Sequence, residues 1–249
     1  MTAYSNGIAP FYDFFTPNDG GAAAQVKFLA ALLAPGASIL DIGAGTGSLA
    51  IELASRGHRV TALEPDAQMR AVMLTRLAAR EDVAPRFTLL PEGAFVEGTF
   101  DLVTSLAVLH LVPDTAERRD MLVFALEHMA AGARFVVEVP VEGSERIAKA
   151  AAIVARRRVG EVDYEHASEQ SPLDAGRWRT VWTFRARREG RVLEETCQVF
   201  DYRVWKPREF DAELRAAGFK ADERYGGFDR APFLPGKSRA LLAICERAK

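Results

Sequence analysis

Residues 38–64 read SILDIGAGTGSLAIELASRGHRVTALE, and the succession of patterns within them decides the fold. Ser38 to Ile42 is a short apolar run carrying one acid, Asp41. Gly43, Gly45 and Gly47 then fall on alternate positions, and Leu49, Ile51 and Leu53 supply the apolar side of a helix over 48–55. Gly57 suits the left-handed residue that closes a helix. A second apolar, β-branched run covers 59–63 and ends at Glu64. Strand, glycine turn, helix and strand together make half of a nucleotide-binding β-α-β unit.

The residue types explain what such a turn can hold. Glycines lack a Cβ, so the backbone turns sharply and approaches a ligand closely. The helix behind the turn presents unpaired N–H groups. An acid at the tip of the second strand can accept two hydrogen bonds from ribose hydroxyls. The spacing is G-x-G-x-G, whereas dinucleotide enzymes carry G-x-G-x-x-G. Asp41, just before the first glycine, would repel a pyrophosphate and suits an ammonium group. The pocket reads as one for a nucleoside that carries an amino acid, which describes S-adenosylmethionine.

These residues also carry a family resemblance. DIGAGTG at 41–47 resembles motif I of the class I S-adenosylmethionine-dependent methyltransferases, and LEPDAQM at 63–69 resembles their ribose-binding segment, with Glu64 as the acid. FDLVTSLAVLHLV at 100–112 resembles their fourth strand and the turn after it. YGGFDRAPFLPGKSRALLAICER at 225–247 resembles the terminal strand pair of the small-molecule members. The resemblance covers most of the chain and is nearest to enzymes that methylate amino groups, deoxysugar N-methyltransferases among them. It implies an α/β, Rossmann-like, doubly wound sheet of seven mostly parallel strands with the last antiparallel. It implies cofactor contacts from Asp41, Gly43, Ala44, Gly45 and Gly47 in the loop, and from Glu64, Pro65 and Met69 after the second strand. Glu92 and Gly93 stand where the family keeps its adenine-binding turn, and Ser105 and Leu106 end the fourth strand. IAPFYD at 8–13 resembles the segment that closes over the cofactor and brings Tyr12 to it.

Composition bounds the alternatives. With 249 residues, 49% hydrophobic and 27% charged, the chain suits one α/β domain with an insertion. A formal net charge of -2 supplies no overall basic field for nucleic acid. Cys197 and Cys245 stand apart and form neither a metal spacing nor a disulfide framework. No apolar run approaches the ~20 residues of a membrane span, and the N-terminus lacks the pattern of a secretory signal. A cytoplasmic protein without a membrane partner is expected.

The whole of 1–249 reads as one methyltransferase-like domain, with an N-terminal cap over 1–34 and an insertion over 141–206. In the cap, Tyr4, Phe11, Tyr12, Phe14 and Phe15 cluster between turn formers. Helices are expected over 22–33, from Asp66 to about residue 79, and from residue 115 to about 130 with Gly132 closing it. Strands are expected over 86–90, 100–105 and 135–139. Within the insertion the pattern predicts a helix over 145–158 carrying Arg156, Arg157 and Arg158, an irregular polar stretch over 163–176, and an antiparallel hairpin over 177–205. Trp178, Trp182 and Phe184 alternate with arginines along the hairpin's first strand. The hairpin cannot join a parallel sheet, so it must be a lid, a substrate wall or a homodimer contact. A final helix at 209–217 and strands at 219–225 and 238–245 complete the order.

Methyl transfer from a sulfonium is an in-line displacement in which alignment can supply roughly 7–11 kcal/mol. It needs no metal. A base contributes ~10²–10⁴-fold when the acceptor must lose a proton. His110 falls just after the fourth strand, at the carboxyl edge where such sheets bind ligands. Tyr12 and Glu138, the latter on the fifth strand, are the other catalytic candidates. His58 and His128 read as solvated, and His166 lies in the polar stretch of the insertion. The reading is a methyltransferase for a small-molecule acceptor, an amine before a hydroxyl, with nucleic acid disfavoured. A nicotinamide-dependent oxidoreductase or a non-catalytic cofactor-binding protein are the alternatives.

Overall fold

The structure is a computed structural model that describes residues 7–15, 21–142, 148–174 and 176–248. Parts of the expected cap, Tyr4 among them, and the start of the expected helix at 145 lie outside the described residues.

The stretch 38–64 folds as its pattern requires. Strand β1 (Ser38–Ile42) leads through the glycine turn into α3 (Ser48–Ser55), which returns to β2 (Arg59–Leu63) parallel to β1. Ahead of them lie α1 (Ala9–Phe15) and α2 (Gly21–Ala30). After them come α4 (Ala67–Ala78), β3 (Phe87–Leu90), β4 (Phe100–Leu106), α5 (Thr115–Glu127) and β5 (Met129–Pro140). Asp66 and Asp114 cap α4 and α5, each accepting two backbone N–H bonds at the helix start. The central sheet has the order β10-β11-β5-β4-β1-β2-β3, where β10 is Phe219–Tyr225 and β11 is Ala240–Arg247. Strand β11 runs antiparallel to both its neighbours and the other pairs are parallel. This is the Rossmann-like doubly wound sheet that the resemblance implies.

Strand alternation builds a core on each face. Leu40, Val103, Phe135 and Val137 pack on one side with α5 and α6 (Pro207–Ala216). Ile39, Leu102 and Val136 pack on the other with α2 and α3. The helix before β5 is shorter than its sequence suggests. It stops at Glu127, and the chain is extended from Met129 onward. Gly132, at φ 77°, does not close a helix; it sits in β5 where the register against β4 slips between Phe100 and Leu102.

The insertion differs more. Residues 149–159 form strand β6 (Lys149–Val159), not a helix, and the expected irregular stretch is strand β7 (Val162–Asp174). With β8 (Arg177–Arg188) and β9 (Arg191–Arg203) they make a separate four-stranded antiparallel sheet. The hairpin is real but is only half of this sheet. Ala, Arg and Lys in 149–159 favour a helix locally, yet pairing with β7 overrides that weak preference. The polar residues of β7 hide a strand whose Glu165, 8% exposed, is covered by ion pairs to Arg156 and Arg187 of the neighbouring strands. Its other face, with Tyr164 and His166, meets Phe11, Phe14 and Phe15 of α1. At the base of the insertion Val141 bridges to Trp205, and the fully buried Trp205 donates its backbone N–H to Pro140 at 3.1 Å.

Candidate active site

The carboxyl ends of the parallel strands converge on one edge, as open α/β sheets require of a binding site. The tips of β1 and β2 carry Asp41 and Glu64, and a cavity of about 180 Å³ opens between them. Gly43, at φ 76°, lets the backbone pass Val108 so closely that a Cβ would stand 2.4 Å from its side chain. Gly45 donates its N–H to Glu64 Oε2 at 2.7 Å, while Asp66 donates to Oε1 at 2.8 Å. The acid is thus fixed across the mouth of the glycine loop. Burial raises its carboxyl pKa, and the two backbone hydrogen bonds work against that rise.

Asp41 is the second buried acid. It is 4% exposed and accepts one hydrogen bond, from Thr104 Oγ1 at 2.7 Å. Burial pushes its pKa up to about 6, against the lowering effect of Thr104. Among the described residues no cation pairs with it. A buried carboxylate with a neutral partner is a place prepared for a positive group. The donor set therefore fits S-adenosylmethionine: Asp41 for the ammonium, Glu64 for the ribose hydroxyls, and glycines for close backbone approach.

The expected residues divide as follows. Tyr12, Ala44, Pro65, Met69 and Leu106 join Asp41 and Glu64 in lining this cavity. Burial raises the pKa of the Tyr12 hydroxyl, helped by the carboxylates of Asp13 and Glu64. Glu92 and Gly93 line an adjoining cavity of about 530 Å³ that shares Gly43, Glu64 and Pro65 with the first. Gly47 and Ser105 line neither. Gly47 is the residue before α3, where a Cβ would meet Met73 at 2.5 Å, so its bareness serves helix packing. Ser105 is wholly buried, and its hydroxyl finds no hydrogen-bond partner among the described residues.

His110 and Glu138 come together in a third cavity, of about 330 Å³, between the sheet edge and the inserted sheet. Trp182, Phe200 and Tyr202 of β8 and β9 form its far wall, with Gln170 and Thr180 as polar contacts. His110 lies in a 3-10 turn, Leu109–Leu111, edge-on to Tyr202 with ring centroids 5.9 Å apart. Burial raises the Glu138 pKa. Tyr12 lines the cofactor cavity and lies 6.2 Å from Trp182 of the third cavity, ring to ring, so it stands where the two spaces face each other. His166 is not in a loop: it stacks on Phe184 at 4.5 Å, and desolvation lowers its pKa.

Sequence reading missed the junction itself. Ala107 and Leu111 line both the cofactor cavity and the His110–Glu138 cavity. Ala107 has φ 55°, a strained value for a residue with a Cβ, and such strain gathers at functional turns. Nothing in an alanine's identity marks that conformation. Arg118 was missed too. It is 1% exposed, donates to the carbonyls of Val112 and Pro113 at 3.0 and 2.8 Å, and pairs with Glu213 at 3.2 Å. It thereby anchors the segment that follows His110.

The model of a family described as a methyltransferase domain matches residues 18–223. The chain is 34% identical over 108 residues to trans-aconitate 2-methyltransferase of Deinococcus radiodurans, covering 43% of this chain and 39% of that protein. It is 56% identical over 45 residues to ribosomal RNA small subunit methyltransferase A of the same organism, covering 18% and 15%. The chain thus spans well under half the length of these curated relatives. Among solved structures it is similar to the CcbJ methyltransferase from Streptomyces caelestis, with 23% identity, a TM-score of 0.79 and coverage of 97% and 96%. It is also similar to the sugar N-methyltransferase KedS8 from a Streptoalloteichus species, with 20% identity, a TM-score of 0.76 and coverage of 100% and 97%. At these identities the structural likeness is one of fold.

Proposed function

We propose, for a chain that belongs to the methyltransferase domain family, the transfer of a methyl group from S-adenosylmethionine to a small-molecule amine. The observation that carries this reading is the junction at Ala107 and Leu111, where a cavity holding two buried acids opens toward one holding Glu138 and His110. S-adenosylmethionine, when bound, supplies an electrophilic methyl group on a sulfonium. The chain's own residues do the rest. Asp41 and Glu64 hold the two polar ends of the cofactor, and Pro65 and Met69 give it apolar contact. Tyr12 and Trp182 exclude water between the two spaces.

Glu138 favours an amine over other acceptors. A carboxylate whose pKa is raised by burial is stabilised by an approaching ammonium and accepts a proton more readily than an exposed one. Glu138 takes one proton from the incoming ammonium and frees its lone pair, the lone pair forms the N–C bond as the methyl–sulfur bond breaks, and His110 takes the second proton from the methylated nitrogen. A carboxylate acceptor, such as the name of the Deinococcus trans-aconitate enzyme indicates for that protein, would meet like charge at Glu138 but opposite charge at Arg239, which lines the same cavity, and is the second reading. The aromatic wall of Trp182, Phe200 and Tyr202 suits the carbon skeleton of the acceptor and adds cation–π attraction for its amine.

The test is incubation with S-adenosylmethionine and paired acceptors that differ only as amine, alcohol or carboxylate, read by mass spectrometry. Amines gaining one methylene are expected. Products confined to alcohols or carboxylates would overturn the acceptor class, and no product from any acceptor would overturn the activity.

A further inference from the structure

Helix α1 is held from three directions at once. On its polar side Asp13 accepts a hydrogen bond from Thr46 Oγ1 of the glycine loop at 2.6 Å and pairs with Arg76 of α4 at 3.4 Å. The same arginine donates to the Thr46 carbonyl at 3.0 Å and to Ser48 Oγ at 2.7 Å. On its apolar side Phe11 stacks on Phe184 at 5.4 Å, and Phe14 and Phe15 meet Tyr164 and His166 of the inserted sheet. Between the two, Tyr12 lines the cofactor cavity and its ring faces Trp182 of the acceptor cavity.

We propose that Asp13 is a positioning residue: it clasps α1 onto the glycine loop, so that Tyr12 keeps the cofactor in its cavity and carries cofactor occupancy to the acceptor wall at Trp182. The proposal rests on the reading of the first cavity as the cofactor site. The physical argument is one of shared partners. Thr46 and Ser48 line the cofactor cavity themselves, so Asp13 and Arg76 act on the loop that touches the ligand and on the helix that covers it. The aromatic contacts tie α1 to the inserted sheet but not to the loop. Without Asp13, the hydrogen bond and ion pair to the loop side are lost, while the aromatic side stays.

The probe is S-adenosylhomocysteine, released from the full chain in a stopped-flow instrument with tryptophan fluorescence as the signal. Asp13→Ala loses both the hydrogen bond and the ion pair. Asp13→Asn keeps an acceptor for Thr46 and loses the charge. The release rate is expected to rise ~10-fold or more in Asp13→Ala, with Asp13→Asn between it and the wild type. The KM for S-adenosylmethionine is expected to rise with it, while kcat at saturation stays within about three-fold, because Asp13 touches no reacting atom. A residue serving stability alone would lower the melting temperature without this graded change in release. If Asp13→Ala does not fold, Asp13→Asn carries the comparison. A wild type that binds and variants that release at its rate would overturn the clasp alone. A wild type that binds no S-adenosylhomocysteine would overturn the functional reading, and the clasp with it.

Discussion

Asp41 and Glu64 are both buried acids whose carboxyl pKa burial raises, and in Glu64 two backbone N–H groups work against the rise. Asp41 has its pKa pushed up to about 6 by burial. The folded state therefore binds a proton that the unfolded state has already lost between about pH 4 and pH 6. Stability of the unliganded protein should fall as pH rises through that window, and stay lower above it. Cofactor affinity should run the other way, since the ionised form attracts an ammonium; it should weaken as pH drops below about 6. Asp41→Asn should raise the melting temperature at pH 7.5, by up to ~3 kcal/mol of stability, and weaken S-adenosylmethionine binding in calorimetry. A variant that loses both stability and affinity would refute the assignment. His110 is tested through turnover: His110→Ala should lower kcat by ~10²-fold and remove the acidic limb of the pH profile. A loss confined to KM would leave it a positioning group. Asp41, Glu64 and His110 stand out in the sequence because a motif surrounds each, and the structure brings Asp41 and Glu64 to one cavity and His110 to its neighbour. Ala107 does not, since its significance lies in a backbone angle, and Gly47, expected at the cofactor, lines neither cavity, since packing against Met73 calls for the same bare residue.

At the scale of elements, the inserted sheet lines the His110–Glu138 cavity with Trp182, Phe200 and Tyr202, and under the proposed function it is the acceptor wall. Trp182→Ser opens that wall, so KM for the acceptor should rise ~10-fold with the cofactor KM changing less; unchanged constants would remove β8 from the site. The sequence pattern located β8 and β9 through their alternation but placed a helix at 149–159. Helix-favouring residues there respond to a partner strand that lies outside any local window, and β7 itself looks irregular because a polar residue, Glu165, is buried in it by ion pairs to Arg156 and Arg187. Arg118 acts at the same scale, joining α5 to α6 through Glu213 and to the backbone after His110. Arg118→Ala should leave two carbonyls without their partner and Glu213 with Arg203 at 3.9 Å, and destabilise the protein by ~1–3 kcal/mol in chemical denaturation. A loss under about 1 kcal/mol would show that the interaction is dispensable. A lone arginine in an ordinary helix carries no sequence mark of burial.

At the scale of the molecule, two sheets share one business edge. The carboxyl edge of the central sheet brings Asp41, Glu64, His110 and Glu138 to adjoining cavities, the inserted sheet adds an aromatic wall, and α1 bridges the two sheets with Asp13 on one side and three phenylalanines on the other. The doubly wound sheet was legible because its strands are short apolar runs bounded by turns. The joint between the sheets was not, because it is made of pairs distant in sequence, such as Val141 with Trp205 and Phe11 with Phe184. Among the described residues no helix is long and apolar enough to cross a membrane. The central claim is that S-adenosylmethionine occupies the cavity between Asp41 and Glu64. Calorimetric titration of the wild type and Glu64→Ala with S-adenosylmethionine, and of the wild type with a nicotinamide dinucleotide, tests it most directly. One equivalent of S-adenosylmethionine bound by the wild type, no dinucleotide bound, and affinity about ten-fold or more weaker in a folded Glu64→Ala are expected, since buried hydroxyls without a partner cost ~1–3 kcal/mol. Unchanged affinity in that variant, or a wild type that takes the dinucleotide instead, would contradict it.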